Sequence, residues 1–325
     1  MTRGAAPDFE ALGVVVGHAT DQEGATGVTV IRGVSEALRG SVSILGRATG
    51  TRELDALSPG HLVDRIDALM LTGGSAYGLD AAAGVMRWME ERGRGFPVGA
   101  GVVPIVPGAV IFDLAPLGRF DARPTANMAY DACDRATSRV AEGSVGAGTG
   151  ATVGKGGTTG TAMKGGVGAA LASAGGVTVG AVSVVNAFGD VRDASGRIIA
   201  GARGARGFLD SERALREEYP AGRFGGGAMR NTTLAVVIAS VVLSRIELQQ
   251  LARASAAALF RRITPAGTSF DGDVVFALSP LSGRGAGALQ VETLAVAALE
   301  DAIERGVRMA HGREGVAGLA DEMSA

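Results

Sequence analysis

In Gly225-Gly226-Gly227-Ala228-Met229-Arg230-Asn231-Thr232-Thr233-Leu234-Ala235-Val236-Val237-Ile238, a glycine run delivers the chain to an Asn-Thr bond, and a β-branched, apolar run begins directly after it. The apolar run has the composition of a buried strand, and the glycines before it the backbone freedom of a loop. That layout suits a peptide bond cut at its own threonine. Cleavage of Asn231-Thr232 would leave Thr232 as a new N-terminus, with hydroxyl nucleophile and α-amine base on one residue. An α-amine titrates near pH 7.7, so part of it is unprotonated at neutral pH and can take the hydroxyl proton. Taken alone, the stretch favours an ordinary turn and strand, and the rest of the chain decides.

Composition sets the class. The chain has 325 residues, 46% of them hydrophobic, enough for a large core and a single domain over residues 1–325. Its 52 glycines show no three-residue period, and its 10 prolines show no matching excess, which excludes collagen and low-complexity disorder. A net charge of -2 gives no basic field, so nucleic acid is not an expected partner. The lone Cys133 reads as a buried, inert thiol. His18, His61 and His311 are scattered without metal-ligand spacing, so neither a metal nor a cofactor is expected. The first ten residues lack an apolar signal core and no 18-residue apolar run spans a membrane, so the cytoplasm is the expected compartment.

Strands are expected over 13–18, 27–31, 66–72, 110–114, 176–186, 233–239 and 274–278, with a hairpin turn at Asp193-Ala194-Ser195-Gly196. Helices are expected over 81–89, 125–140, from the Ser244-Arg245-Ile246-Glu247 capping box onward, and over 289–309. Residues 201–224 read as a charged surface loop. The glycine-rich segment 143–168 fails the phosphate-loop pattern, because Gly154-Lys155 is followed by Gly156 and Thr149 stands at the first glycine position. Within it Lys155 is the expected reactive group. The element order is that of an α/β (α+β) layered body, two packed sheets covered by helices on both sides.

Together, Asn231-Thr232-Thr233, Asp271-Gly272-Asp273, Asn186, Gly154-Lys155 and Leu71-Thr72-Gly73-Gly74-Ser75-Ala76-Tyr77-Gly78-Leu79 resemble one family. It is that of self-processing β-aminopeptidases and L-aminopeptidase/D-amidase-esterases, in particular its nylon-oligomer hydrolase branch. The resemblance spans about residue 10 to about residue 310 and is most specific from Asn231 to Leu278. It implies a four-layer αββα sandwich like that of N-terminal nucleophile hydrolases. It also implies cleavage into fragments 1–231 and 232–325, about 23 and about 9 kDa, that stay associated. Thr232 would be the nucleophile, and Asp271 and Asp273 would hold its ammonium and orient its hydroxyl. Asn186 would donate to a developing oxyanion, and Lys155 would place a positive charge beside it. Ser75, Tyr77 and Phe112 are the expected substrate-binding residues, Phe112 standing where the nylon-oligomer branch has tyrosine. The expected partners are a small amide or peptide substrate and further copies of the chain, a tetramer by the resemblance. Alanine-rich helix faces at 81–84 and 254–258 would permit the close packing.

Two other readings compete. A serine hydrolase using Ser75, His311 and a carboxylate lacks the Gly-x-Ser-x-Gly pattern, since Tyr77 holds the last glycine position. A glycine-rich oligomeric binding protein would keep Asn231-Thr232 intact.

Overall fold

The computed structural model describes residues 5–155, 162–218 and 231–322. The glycine run before Asn231 lies outside the described residues. Strands β1 (Val14–Asp21) and β2 (Thr26–Gly33) form an antiparallel pair, followed by β3 (Leu38–Ile44), β4 (Thr51–Arg52) and β5 (Ala68–Thr72). A 3-10 turn over Ser75–Ala81 leads into α1 (Ala82–Glu90). The small hairpin β6 (Phe96–Pro97) and β7 (Val102–Val103) precedes β8 (Gly108–Val110) and α2 (Ala126–Asp134). β9 (Thr152–Val153) pairs with β10 (Met163–Lys164), and β11 (Val167–Ala174) with β12 (Val177–Asn186). β13 (Asp190–Arg192), β14 (Ile198–Ala200), β15 (Arg203–Gly204), β16 (Gly207–Phe208) and α3 (Ser211–Glu218) follow. The last part of the chain comprises β17 (Thr232–Ala239), α4 (Arg245–Arg262), β18 (Ile263–Thr264), β19 (Val274–Pro280), α5 (Ala288–Arg308) and α6 (Leu319–Glu322).

Among the described residues, one sheet has the order β1-β2-β5-β8-β4 and a second the order β11-β12-β17-β19-β3. The two sheets face each other across a core that includes Val16, Ile31, Leu69, Ile111, Val182, Leu234, Val236 and Phe276. α1 and α2 cover the first sheet over Val28, Val30, Met70, Val85 and Met89. α4 and α5 cover the second over Val179, Val237, Val275, Leu251, Leu259, Leu299 and Ile303. The layers therefore run αββα, as expected. β17 shows why its sequence is apolar without interruption: Leu234, Val236 and Ile238 point between the sheets, while Ala235, Val237 and Ala239 point to the helices. A strand buried on both faces has no polar side to alternate with.

The parallel pair β17–β19 is joined by α4, whose capping box is present, Ser244 Oγ accepting from the Glu247 N–H and Glu247 from the Ser244 N–H. Parallel neighbours need such a crossover, and it brings the N-terminal ends of β17 and β19 to the same edge of the sheet. Antiparallel β12 brings its C-terminal end there too.

Several elements differ from the sequence reading. β3 was not expected, and the expected strand at 110–114 ends at Val110, because Asp113 turns inward to accept from Thr26 Oγ1 and the Gly74 N–H. α2 stops at Asp134, and residues 201–218 form a hairpin and a helix, not a bare loop. Of the alanine-rich faces at 81–84 and 254–258, Ala81, Ala82, Ala256 and Ala258 are buried against the rest of the chain, while Ala83 is exposed and Ala254 and Ala257 are half-buried. No described helix is long and apolar enough to cross a membrane.

Candidate active site

The three strand ends meet at Asn231-Thr232. Register pairs Thr232 with Asn186 across β17 and β12, and an isolated parallel bridge pairs Asn231 with Asp271 ahead of β19. Thr232 is 5% exposed in this uncut chain, and its Oγ1 donates to the Asn231 carbonyl at 2.6 Å. The same carbonyl accepts the Gly272 N–H at 2.9 Å. The hydroxyl thus lies against the peptide bond that precedes it, and the carbonyl oxygen is already held by a backbone donor.

Gly272 is glycine for a steric reason. A Cβ there would stand 2.6 Å from Thr232 Oγ1 and 2.8 Å from the Ala48 carbonyl oxygen. The flanking aspartates use their carboxylates differently. Asp273 accepts the Thr233 N–H at 2.6 Å and the Gly267 N–H at 3.0 Å, and Asp271 accepts the Thr268 N–H at 2.8 Å. Burial raises both, and the neighbouring Asp271 charge adds to the effect on Asp273, which is pushed up to about 7. Two carboxylates in one dry site cannot both ionise easily, so the pair tends to hold a proton near neutral pH. The Lys155 ammonium pulls both in the opposite direction.

Lys155 arrives from β9 through Gly154, whose φ of +74° and close contact with the 201–202 backbone exclude a side chain. The backbone N–H groups of Gly154 and Lys155 donate to the Gly189 and Phe188 carbonyls, and Lys155 Nζ donates to Asn186 Oδ1 at 2.7 Å and to the Asn186 carbonyl at 3.0 Å. Asn186 Oδ1 also accepts the Thr152 N–H at 3.1 Å, while its Nδ2 donates to the Phe112 carbonyl at 3.2 Å. Five positions singled out in the sequence, Lys155, Asn186, Thr232, Asp271 and Asp273, are therefore brought together with Asn231.

The expected substrate-binding residues stand further out. Phe112 joins the site through its backbone carbonyl, with a half-buried side chain. Ser75, at φ +52°, ties its N–H to the Ile111 carbonyl. Tyr77 is half exposed, edge-on to Phe120, with the Arg123 guanidinium 3.5 Å from its ring centre. His311 bonds Asp321 on the surface, and among the described residues no hydrogen bond joins it to Ser75. That arrangement does not support a serine triad. Cys133 is buried, its thiol pushed up to about 12 by burial, as an inert thiol should be.

Two features were missed in the sequence. The Gly272 N–H acts through backbone and leaves no side-chain signal. Lys164, passed over in favour of Lys155, is 1% exposed and donates to the carbonyls of Gly148, Ala151 and Gly165. Glycines packed closely around a lysine were its only trace.

Comparison with known proteins identifies the family. The chain is 45% identical over 263 residues to an uncharacterized aminopeptidase of Mycobacterium tuberculosis, covering 78% of this chain and 73% of that protein. It is 33% identical over 310 residues to a 6-aminohexanoate-oligomer endohydrolase of Paenarthrobacter ureafaciens, covering 90% of this chain and 81% of the other. Among solved structures, a Burkholderia sp. β-aminopeptidase superposes with a TM-score of 0.69 at 20% identity, covering 100% of this chain and 96% of that one. The L-aminopeptidase D-Ala-esterase/amidase of Ochrobactrum anthropi, described as a variant of the Ntn hydrolase fold, superposes with a TM-score of 0.68 at 21% identity, covering 95% and 89%. The Peptidase family S58 pattern matches residues 10–320, so this chain belongs to peptidase family S58 and is an amide-bond hydrolase.

Proposed function

We propose that the chain cuts itself between Asn231 and Thr232 and then hydrolyses small amide or peptide substrates with Thr232 as N-terminal nucleophile. The observation that carries this reading is the Thr232 hydroxyl lying against the Asn231 carbonyl, with the Gly272 N–H on the same oxygen. In the first step Oγ1 attacks the Asn231 carbonyl carbon, and the hydroxyl proton passes to the Asp271/Asp273 pair. The negative charge that develops on the carbonyl oxygen is met by the Gly272 N–H. The C–N bond breaks, the Thr232 nitrogen takes up the proton, and an ester links Asn231 to Oγ1. Water hydrolyses that ester, leaving a carboxylate on Asn231 and a free α-amine on Thr232.

The mature reaction repeats the chemistry on a substrate carbonyl. The α-amine takes the hydroxyl proton, Oγ1 forms an acyl-enzyme, and the proton goes to the departing amine. Water then releases the acid. Lys155 and Asn186 stabilise the oxyanion, and the aspartates hold the α-amine in its place. The two fragments remain one body, because β17 is bonded to β12 along its whole length and β19 is bonded to β3. The named relatives support aminopeptidase substrates and aminohexanoate oligomers as the two classes to try first. The same reading extends to a homo-oligomer of such two-fragment units.

Intact mass under denaturing conditions tests it. The 32.5 kDa chain should give species of about 23 and about 9 kDa, the smaller beginning at Thr232, and Thr232→Ala should stay whole and inactive. A Thr232→Ala chain that hydrolyses amides as fast as the unaltered protein would overturn the proposal.

A further inference from the structure

Lys164 is a buried ammonium that the proposed mechanism leaves unused. Its three N–H donors meet three backbone carbonyls, of Gly148 at 3.2 Å and of Ala151 and Gly165 at 2.9 Å each. A buried charge is tolerated only when its donors are met, and here they are. The Ala151 carbonyl is the instructive acceptor. It also takes the Gly165 N–H at 2.9 Å, so two donors fix one edge of the peptide between residues 151 and 152. The opposite edge of that peptide is the Thr152 N–H, which donates to Asn186 Oδ1. Because a peptide group is planar, holding its carbonyl aims its N–H, and a cation on the oxygen strengthens the N–H as a donor.

Asn186 Oδ1 is thereby held by two lysines, Lys155 directly and Lys164 through one peptide group. With Oδ1 committed to this side, Nδ2 is turned to the other, where it donates to the Phe112 carbonyl. Residue 113 closes the enclosure. Burial brings Lys164 down to about 7, and the Asp113 carboxylate, buried against Thr26 and Gly74, favours its charged form in the opposite direction.

We infer that Lys164 is a positioning residue for Asn186: by holding the 151–152 peptide it fixes which side of the Asn186 amide is donor and which is acceptor beside Thr232. The inference rests on the proposed role of Asn186, yet the orientation itself can be tested apart from activity. The chain holds only three asparagines, Asn127, Asn186 and Asn231, so labelling asparagine with 15N gives few side-chain amide signals, and Asn186→Ala assigns the relevant pair. In the full chain carrying Thr232→Ala, Lys164→Met should shift the Asn186 side-chain signals and speed their hydrogen exchange while the Asn127 signals stay in place. In the chain that retains Thr232, Lys164→Met should slow self-cleavage by about 10- to 100-fold, the cost of a misplaced group. The same change added to Asn186→Ala should slow it by less than about threefold, since the residue it acts through is gone. Thr152→Pro keeps Lys164 but removes the N–H that reaches Asn186, so it should reproduce both effects and serves if Lys164→Met does not fold. Unchanged Asn186 signals, or equal slowing with and without Asn186, would overturn the inference. An unaltered chain that never cuts itself would instead remove the proposed function, and the amide signals would still decide the orientation.

Discussion

Two buried polar centres lie on either side of Asn186, and they treat charge in opposite ways. Around Lys164 and Asp113 burial brings the ammonium down to about 7 and the carboxyl up to about 6, but each group is met by backbone and hydroxyl partners: three carbonyls on Lys164, one N–H and one hydroxyl on Asp113. Around Thr232 two carboxylates are crowded into one dry site, and the hydroxyl rests on the bond it is proposed to cut. The first centre spends its hydrogen bonds on holding the fold. The second crowds like charges beside the proposed nucleophile, Asp273 accepting the N–H of the next residue, Thr233. Burial alone therefore does not mark a reactive centre; a like-charged pair beside a nucleophile does.

The largest effect that can break this contrast is at the nucleophile. Thr232→Ala should abolish self-cleavage and reduce amide turnover by about 10⁴-fold or more, whereas Thr232→Ser should retain both, as intact mass and a turnover assay will show. Next, the two centres can be set directly against each other. Asp273→Asn should slow self-cleavage by about 10²- to 10⁴-fold with a modest change in melting temperature. Asp113→Asn should slow it by less than about tenfold but lower stability by about 1–3 kcal/mol in denaturant unfolding, because it weakens a buried hydrogen-bonded pair. A slower Asp113→Asn than Asp273→Asn would erase the distinction.

Gly272→Ala gives a steric version of the test. Its Cβ would fall 2.6 Å from Thr232 Oγ1, so the hydroxyl or the Asp271-Gly272-Asp273 turn must move. Self-cleavage should slow by about 10²-fold, measured by the same mass assay. The smallest effects are shifts in pH profile. If the ionised form of Asp273 takes the hydroxyl proton, the rate should rise with pH through about 7. Asp271→Asn removes a like charge and should move that limb to lower pH, and Lys155→Met removes an attracting cation and should move it higher. Stability follows the opposite sign. Between 3.8, the ordinary value, and about 7 the folded chain keeps a proton on Asp273 that the unfolded chain gives up, so stability should fall as pH rises across that window. Asp273→Asn should flatten this part of the unfolding curve.

Much of this architecture is legible in the order of the residues. β17 announces itself because a strand buried on both faces must be apolar at every position, and α4 because Ser244 and Glu247 form a capping box whose partners are local. β3 does not, because Arg39, Ser41 and Ser43 interrupt its apolar residues and only pairing with β19 defines it. The strand expected at 110–114 is cut short by Asp113, an inward turn that depends on Thr26 and Gly74, distant in sequence. At the site, Lys155, Asn186, Asp271 and Asp273 are named through resemblance. Lys164 is not, because a lysine among glycines reads as a surface loop until the carbonyls around it are known.

The sequence by itself determined the layer pattern, the strand that starts at Thr232 and the residue types gathered for the chemistry, because burial and capping act through neighbours in the chain. Only the tertiary structure decided that three strand ends converge, that the Gly272 N–H meets the Asn231 carbonyl, and that one peptide group carries Lys164 to Asn186. Backbone donors and acceptors are the same at every residue. Which of them serve a site depends on where the sheets place them, and no side chain records it.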